Sequence, residues 1–203
     1  MRIWGGENTR IGQSDAGLTR DAPPSLQSDR LVLRRWRRAD REPFARINAD
    51  PVVMEHFPST LNRTESDAFA DRIEAGFDER GYGLWAVELP GEASFIGFVG
   101  LALHDFPAHF TPAVEIGWRL ARDHWGRGLA TEAARTAIAD GFERVGLSEI
   151  VSFTAMVNTR SVAVMQRLGM THDPADDFDH PRLPVGHRLR RHVLYRLGRA
   201  NYR

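Results

Sequence analysis

A strand, a loop with two glycines and a helix follow one another between residues 114 and 134, and this order constrains the fold more than any other feature of the chain. Alternating apolar residues predict a strand over 114–120, and good helix formers predict a helix that begins at Leu129. Gly126 and Gly128 lie between them, where glycine allows positive φ and a close backbone approach to a ligand. Because the first N–H groups of a helix lack intrahelical partners and carry partial positive charge, the segment predicts a phosphate-binding loop.

The loop sequence WGRGLA at 125–130 resembles the Gln/Arg-x-x-Gly-x-Gly/Ala motif with which the GNAT family of N-acetyltransferases binds acetyl-CoA. Trp125 replaces the usual Gln or Arg, and a Trp at this position is typical of the RimJ/RimL-like branch, the ribosomal-protein N-terminal acetyltransferases. A second segment, 158–170, resembles the family's Asn-x-x-Ser segment that ends in Leu-Gly-Phe. The resemblance covers roughly residues 26–197. A Rossmann dinucleotide site is a poorer interpretation, because the third glycine of that motif is missing.

The order of predicted elements agrees with this resemblance. The patterns predict a strand over 30–37, then helices, strands over 83–89, 94–103 and 114–120, a helix over 129–145, a strand over 150–157, a helix over 158–168 and a strand over 191–197. The resemblance implies a mixed α/β fold with one twisted, mostly antiparallel sheet flanked by helices. That sheet splays between the fourth and fifth strands to admit the pantetheine arm of CoA. Residues 1–27 are expected to form a flexible leader, and 28–203 a single domain.

The resemblance implies that the phosphate loop, the strand before it and the later Asn-x-x-Ser segment hold acetyl-CoA. Arg127 adds a cation that can reach a further phosphate, and backbone N–H groups of the strand are implied to polarise the thioester carbonyl. Gly117 inside that strand predicts a bulge or a close backbone approach. The expected cofactor-binding residues are Trp118, Arg119, Leu120, Trp125, Gly126, Arg127, Gly128, Leu129, Ala130, Thr131, Asn158 and Ser161.

Glu115 is the candidate general base. An alkylamine with a pKa near 10 is mostly protonated at neutral pH, and a carboxylate in the cleft can remove the proton directly or through water. A glutamate on a solvated sheet face is the alternative interpretation.

Ser161 is the candidate partner of the departing thiolate, by resemblance to the RimJ/RimL-like branch. Many relatives place a tyrosine acid in this helix, where the present chain has Met165, which cannot donate a proton. This difference leaves open a second hypothesis, a catalytically inactive acyl-CoA-binding sensor. Asn158 either caps its helix or also contacts the CoA arm.

The acceptor is a primary amine, either a protein N-terminus or a small molecule, and the sequence does not choose between them. Either Trp36 or residues 52–58 are expected to line its site, by analogy with the family's fold. The loop 172–181 is rich in Asp and His, but its spacing matches no metal template, so no metal is expected. Asp177, Asp179 or His180 could instead hold an ammonium group, while histidines 180, 187 and 192 are more typical of surface or packing positions.

Composition limits the partners. Lys plus Arg and Asp plus Glu both number 27, which disfavours nucleic acid as a partner. Cysteine is absent, so transfer through a cysteinyl intermediate is excluded. No apolar run approaches the roughly 20 residues of a membrane span, and the expected location is cytoplasmic. The resemblance also suggests a homodimer.

Overall fold

The computed structural model describes Pro23 and residues 25–202. Within that part of the chain it contains four α-helices, α1 (Arg41–Ala49), α2 (Arg63–Arg80), α3 (Leu129–Glu143) and α4 (Thr159–Arg167). The strands are β1 (Ser25–Gln27), β2 (Val32–Arg34), β3 (Leu84–Leu89), β4 (Ala93–His104), β5 (Ala113–Leu120), β6 (Glu149–Ala155), β7 (Thr171–His172), β8 (Phe178–Asp179) and β9 (Arg191–Gly198).

The strands form one sheet in the order β1-β2-β3-β4-β5-β6-β9-β7, with β8 also paired to β9. Every pairing is antiparallel except that of β5 with β6, which is parallel. The prediction of a mixed α/β fold with a mostly antiparallel sheet flanked by helices is therefore confirmed.

The sheet splays between β5 and β6, which are the fourth and fifth strands of the sequence prediction. In the described part of the chain these two strands share one register pair, Glu115 with Val151. A side-chain bond from Ser152 Oγ to the carbonyl of Ile116, at 3.0 Å, joins them just beyond that pair. From there towards Leu120 the strands diverge, and the gap becomes a cleft.

The two faces of the sheet carry different helices. Phe98 of β4 contacts Phe44 of α1 at a ring distance of 6.0 Å and Phe69 of α2 at 5.8 Å. On the opposite face, Leu101 lies so close to Gly141 of α3 that a Cβ there would be 2.8 Å from its Cδ1. Each buried ring of this core contributes about 1.5–3 kcal/mol, so the sheet is a rigid support for the cleft.

Several local predictions were wrong. The expected first strand over 30–37 is reduced to β2, while β1 occupies the last three residues of the predicted leader and pairs with β2. The rest of that leader, apart from Pro23, lies outside the described residues. The register of β4 with β5 runs unbroken through the pair Gly100 and Gly117, so the bulge expected at Gly117 is absent from this described pairing; a register shift occurs instead in β3.

Candidate active site

A cleft of about 740 Å³ occupies the gap between β5 and β6. The strands and the starts of α3 and α4 supply most of its walls. All predicted site residues except Arg127 line it, namely Glu115, Trp118, Arg119, Leu120, Trp125, Gly126, Gly128, Leu129, Ala130, Thr131, Asn158 and Ser161. Residues far apart in the sequence therefore meet in one place.

The loop between β5 and α3 presents backbone N–H groups to the cleft. Gly126 and Gly128 adopt φ of 74° and 78°, a backbone conformation that residues with a Cβ rarely take. Gly128 is the N-cap of α3 and has no side chain to cap it. The amide of Glu132 makes the helical bond back to Gly128, so the preceding three amides are free of intrahelical bonds and available to an anion.

Trp125 fixes this loop to the end of β5. Its indole Nε1 donates to the carbonyl of Leu120 at 2.9 Å, and the guanidinium of Arg160 lies 4.8 Å from the ring centroid. The tryptophan that departs from the family motif thus has a structural role in the loop. Arg160 also lines the cleft and was missed in the sequence, where an isolated surface arginine gives no signal.

Arg127 is not among the residues that line the cleft. Its guanidinium binds both carboxylate oxygens of Glu92, at 2.5 and 2.8 Å, and this hydrogen bonding lowers the pKa of Glu92. Glu92 belongs to the turn between β3 and β4. The structure therefore does not place Arg127 where the sequence predicted a phosphate contact.

The backbone of β5 offers two N–H groups to the cleft. The carbonyls of Ile116 and Leu120 accept bonds from Ser152 and Trp125, so the backbone groups of alternate residues in this stretch point towards β6. Because a strand repeats every two residues, the N–H groups of Trp118 and Leu120 also point that way, where β6 has separated from β5.

Glu115 is buried deep in the cleft, with 3% of its surface exposed. Its Oε2 lies 2.8 Å from Nε2 of His104, which is also buried. The alternative interpretation, a glutamate on a solvated sheet face, was wrong. His104 was missed by sequence reasoning, because only the β4–β5 register brings it close to Glu115.

Asn158 and Ser161 form a linked pair at the start of α4. Asn158 Oδ1 accepts from the backbone N–H of Ser161 at 3.2 Å, which confirms the predicted cap. Its Nδ2 donates to Ser161 Oγ at 3.0 Å, so the hydroxyl proton of Ser161 remains available to donate to another group. Met165 is buried in the core and replaces the tyrosine of many relatives.

The far wall of the cleft comes from the connection between α1 and α2, as expected. Val52, Val53, His56, Phe57 and Pro58 line it. The further lining residues that sequence reasoning did not identify include Arg167, Leu183, Leu189 and His192.

The Asp- and His-rich loop does not supply an ammonium site at the cleft. Asp177 lies 2.7 Å from His172 Nε2, and Asp179 pairs with Arg190 and Arg191 on the surface. His180 is completely buried, and none of the three lines the cleft. Within the described residues no group of three or more acidic or histidine side chains is arranged to hold a metal ion.

The sequence profile of the acetyltransferase (GNAT) domain matches residues 30–171. The chain belongs to the GNAT family of acetyltransferases. The FsC-acetyl coenzyme A-N(2)-transacetylase of Aspergillus fumigatus is 32% identical over 76% of this chain and 68% of that protein. The GNAT membership and this relative support an acetyl-CoA-dependent acetyltransferase rather than the inactive sensor that the sequence left open.

Solved structures of GNAT acetyltransferases superpose on the chain. An acetyltransferase from Agrobacterium tumefaciens is 26% identical, with a TM-score of 0.69 over 92% of this chain and 99% of that one. A spermidine N-acetyltransferase from Vibrio cholerae, in complex with CoA and spermine, shares the fold at 18% identity, with a TM-score of 0.67 over 85% of this chain and 98% of that one. None of the helices described here has both the length and the apolar character of a membrane span.

Proposed function

We propose that this protein is an N-acetyltransferase that moves an acetyl group directly from acetyl-CoA to a primary amine, with both substrates bound together. The observation that carries the proposal is the position of Glu115. Its buried carboxylate lies in the same cleft as the exposed amides of β5 and the uncapped N-terminus of α3. Much of the rate comes from holding amine and thioester in the reacting geometry.

The residues present fit coenzyme A. The amides of Leu129, Ala130 and Thr131 and the positive end of the α3 dipole suit a diphosphate, and Gly126 leaves open space, because a Cβ there meets no atom within 4 Å. Bound acetyl-CoA supplies the acetyl group already activated as a thioester. The CoA bound in the Vibrio cholerae enzyme supports this assignment, as does the cleft volume of about 740 Å³.

Glu115 removes a proton from the incoming ammonium group, directly or through water. The amine attacks only when neutral, and a positioned base typically contributes about 10²–10⁴-fold to the rate. His104, 2.8 Å from the carboxylate, holds Glu115 in place.

Two groups of donors stabilise the charge that develops during transfer. The N–H groups of Trp118 and Leu120 point at the position of the thioester carbonyl and stabilise its oxygen, and one such donor is worth about 10²–10³ in rate. The hydroxyl of Ser161 donates to the departing sulfur, while Asn158 holds that hydroxyl in place.

The finer assignments are parts of the same proposal. The Trp125 loop supports membership of the RimJ/RimL-like branch. The names of the relatives given above do not mention that branch. A homodimer and a cytoplasmic location remain predictions from the sequence.

A thiol-release assay with acetyl-CoA and a panel of amines and N-terminal peptides tests the proposal. We expect turnover with at least one class of amine and an acetylated product of the expected mass. Calorimetry that detects no binding of acetyl-CoA, or a panel without turnover despite tight binding, would overturn it.

A further inference from the structure

Arg119 is a buried cation in the wall of the cleft. It is 4% exposed, and it lies opposite Phe98 in the β4–β5 register, on the face of the sheet that α1 and α2 cover. The guanidinium is 4.2 Å from the ring centroid of Phe57 and donates from Nη1 to Oδ1 of Asn48. Its side chain therefore points away from α3 and from the amides that suit the diphosphate, so we do not assign it to the cofactor.

No anion balances this guanidinium within residues 25–202. Its Nε is buried without a hydrogen-bond partner in that part of the chain, and burial lowers the pKa of Arg119 to about 9. The group is still cationic at neutral pH. Buried charges in proteins are ordinarily paired, because an unpaired one is expensive to remove from water. The missing partner points to a ligand.

Most of the other charged side chains that line the cleft are also positive. Among its described lining residues, Glu115 is the one carboxylate, whereas Arg119, Arg160 and Arg167 are cationic. His56 also lines the cleft. Burial is the main cause that lowers its pKa; the charge of Glu55 opposes this shift, and those of Arg160 and Arg188 add to it. A polyamine, which carries several positive charges, is poorly matched to these walls, whereas an acceptor with one amine and one negative group is well matched.

We propose that Arg119 anchors a carboxylate on the acceptor, so that the substrate is a primary amine that also carries a carboxylate group. The inference rests on the proposed N-acetyl transfer in this cleft. Glu115, Gly117 and Arg119 lie on one face of β5 and all line the cleft. Gly117 places no side chain between the carboxylate and the guanidinium. The amine is directed to Glu115 and the acid to Arg119.

The spacing on β5 sets the shape of the acceptor. Residues four apart on a strand are separated by about 13 Å, and both side chains reach into the cleft. The amine and the acid of the acceptor are therefore several bonds apart, as in an ω-amino acid or a short peptide, rather than on one carbon.

Matched pairs of acceptors test this inference with the full-length protein and saturating acetyl-CoA. Each pair consists of an ω-amino acid and the alkylamine of equal chain length, and a second pair consists of a glycyl peptide and its C-terminal amide. We expect kcat/KM to favour the carboxylate in each pair by about tenfold to a hundredfold, the range of a charge-assisted hydrogen bond. A fatty acid of the same length, without an amine, should compete with the acceptor.

The variant Arg119→Gln should abolish the preference and the competition, while the affinity for CoA stays unchanged. Arg119→Lys should retain part of the preference, because it keeps the charge and loses the planar guanidinium. Arg46→Gln, on the exposed face of α1, controls for the loss of an arginine elsewhere. If Arg119→Gln does not fold, the wild-type pairs still decide.

A wild-type enzyme that acetylates neutral amines and amino acids equally would overturn the inference and leave the proposed function intact. An unchanged ratio in a folded Arg119→Gln variant would do the same. Failure to bind acetyl-CoA or to acetylate any amine would instead remove the proposed function, and the inference with it.

Discussion

Glu115 Oε2 lies 2.8 Å from Nε2 of His104, and both side chains are almost completely buried. Glu115 pairs with Ala102 in the β4–β5 register, so His104 is its diagonal neighbour on the same face. The rings of Phe106 and Phe153 pack edge-on against His104. The imidazole is thereby held in place beside the carboxylate.

Glu115→Gln is expected to lower kcat/KM by about 10²–10⁴-fold, because the amide keeps the shape of the side chain but cannot accept a proton. The affinity for acetyl-CoA, measured by calorimetry, should not change. Glu149→Gln, at the exposed start of β6, is the matched control. Unaltered kcat/KM in the Glu115 variant would exclude a role as base.

His104→Gln is expected to reduce kcat and to shift the pH profile of kcat/KM, with little change in the affinity for CoA. Glutamine keeps a hydrogen-bond donor near the carboxylate but removes the imidazole and its contacts with phenylalanine. A residue with a purely structural role would lower the stability and leave the pH profile where it was. The profile of the variant, measured with one amine, distinguishes the two.

Gly126→Ala is expected to weaken CoA binding by about tenfold or more, because a Cβ is strained at positive φ and stands where the diphosphate approaches. Gly169→Ala is a matched control, since Gly169 also has positive φ and an equally open Cβ position. Both variants should lose similar stability in urea. Equal losses of CoA affinity would show that the loop has no special part in binding.

Ser161→Ala is expected to lower kcat by about tenfold. The effect is modest because a thiol with a pKa near 8.5 leaves readily as the thiolate. The backbone N–H of residue 161 keeps its bond to Asn158, so α4 should remain capped. Thr159→Ala, at the exposed first position of the same helix, should have no effect on kcat, and equal kcat in all three proteins would refute the role of the hydroxyl.

His180 is expected to make the fold sensitive to acid. Burial lowers the pKa of His180 to about 3, and the nearby charges of His192, Arg182 and His104 act in the same direction. A histidine in the unfolded chain has a pKa near 6.5. Between pH 6.5 and 3, His180 is therefore protonated in the unfolded chain and neutral in the folded chain. The free energy of unfolding should therefore fall on acidification through this range, by up to about 1.4 kcal/mol per pH unit.

Urea unfolding at a series of pH values measures this slope. His180→Phe should flatten it, because phenylalanine does not titrate and suits a site bordered by Phe106 and Phe178. His109→Gln, which alters a partly exposed histidine, should leave most of the slope in place. If the free energy of unfolding of His180→Phe falls with pH as steeply as that of the wild type, other groups cause the acid sensitivity.

Local patterns predicted the long elements because their physical causes are local. The strand β5 and the helix α3 were located to within a few residues, since alternating apolar residues, a glycine and good helix formers lie together in the sequence. The short strands β1, β7 and β8 were missed, because pairing with a neighbour rather than residue type creates them. The helix α2 begins with a capping box, in which Asn62 and Glu65 form the reciprocal bonds.

The sequence by itself determined the glycine loop before α3, the cap at Asn158 and the position of Glu115 within a strand, because each depends on residues that are close in the chain. The tertiary structure alone decided that His104 meets Glu115, that Arg127 pairs with Glu92 and that Arg119 is buried with no anion beside it among residues 25–202. The register of strands and the packing of α1 and α2 create these relationships. The position of a charged residue in the sequence does not show which distant groups will surround it in the fold.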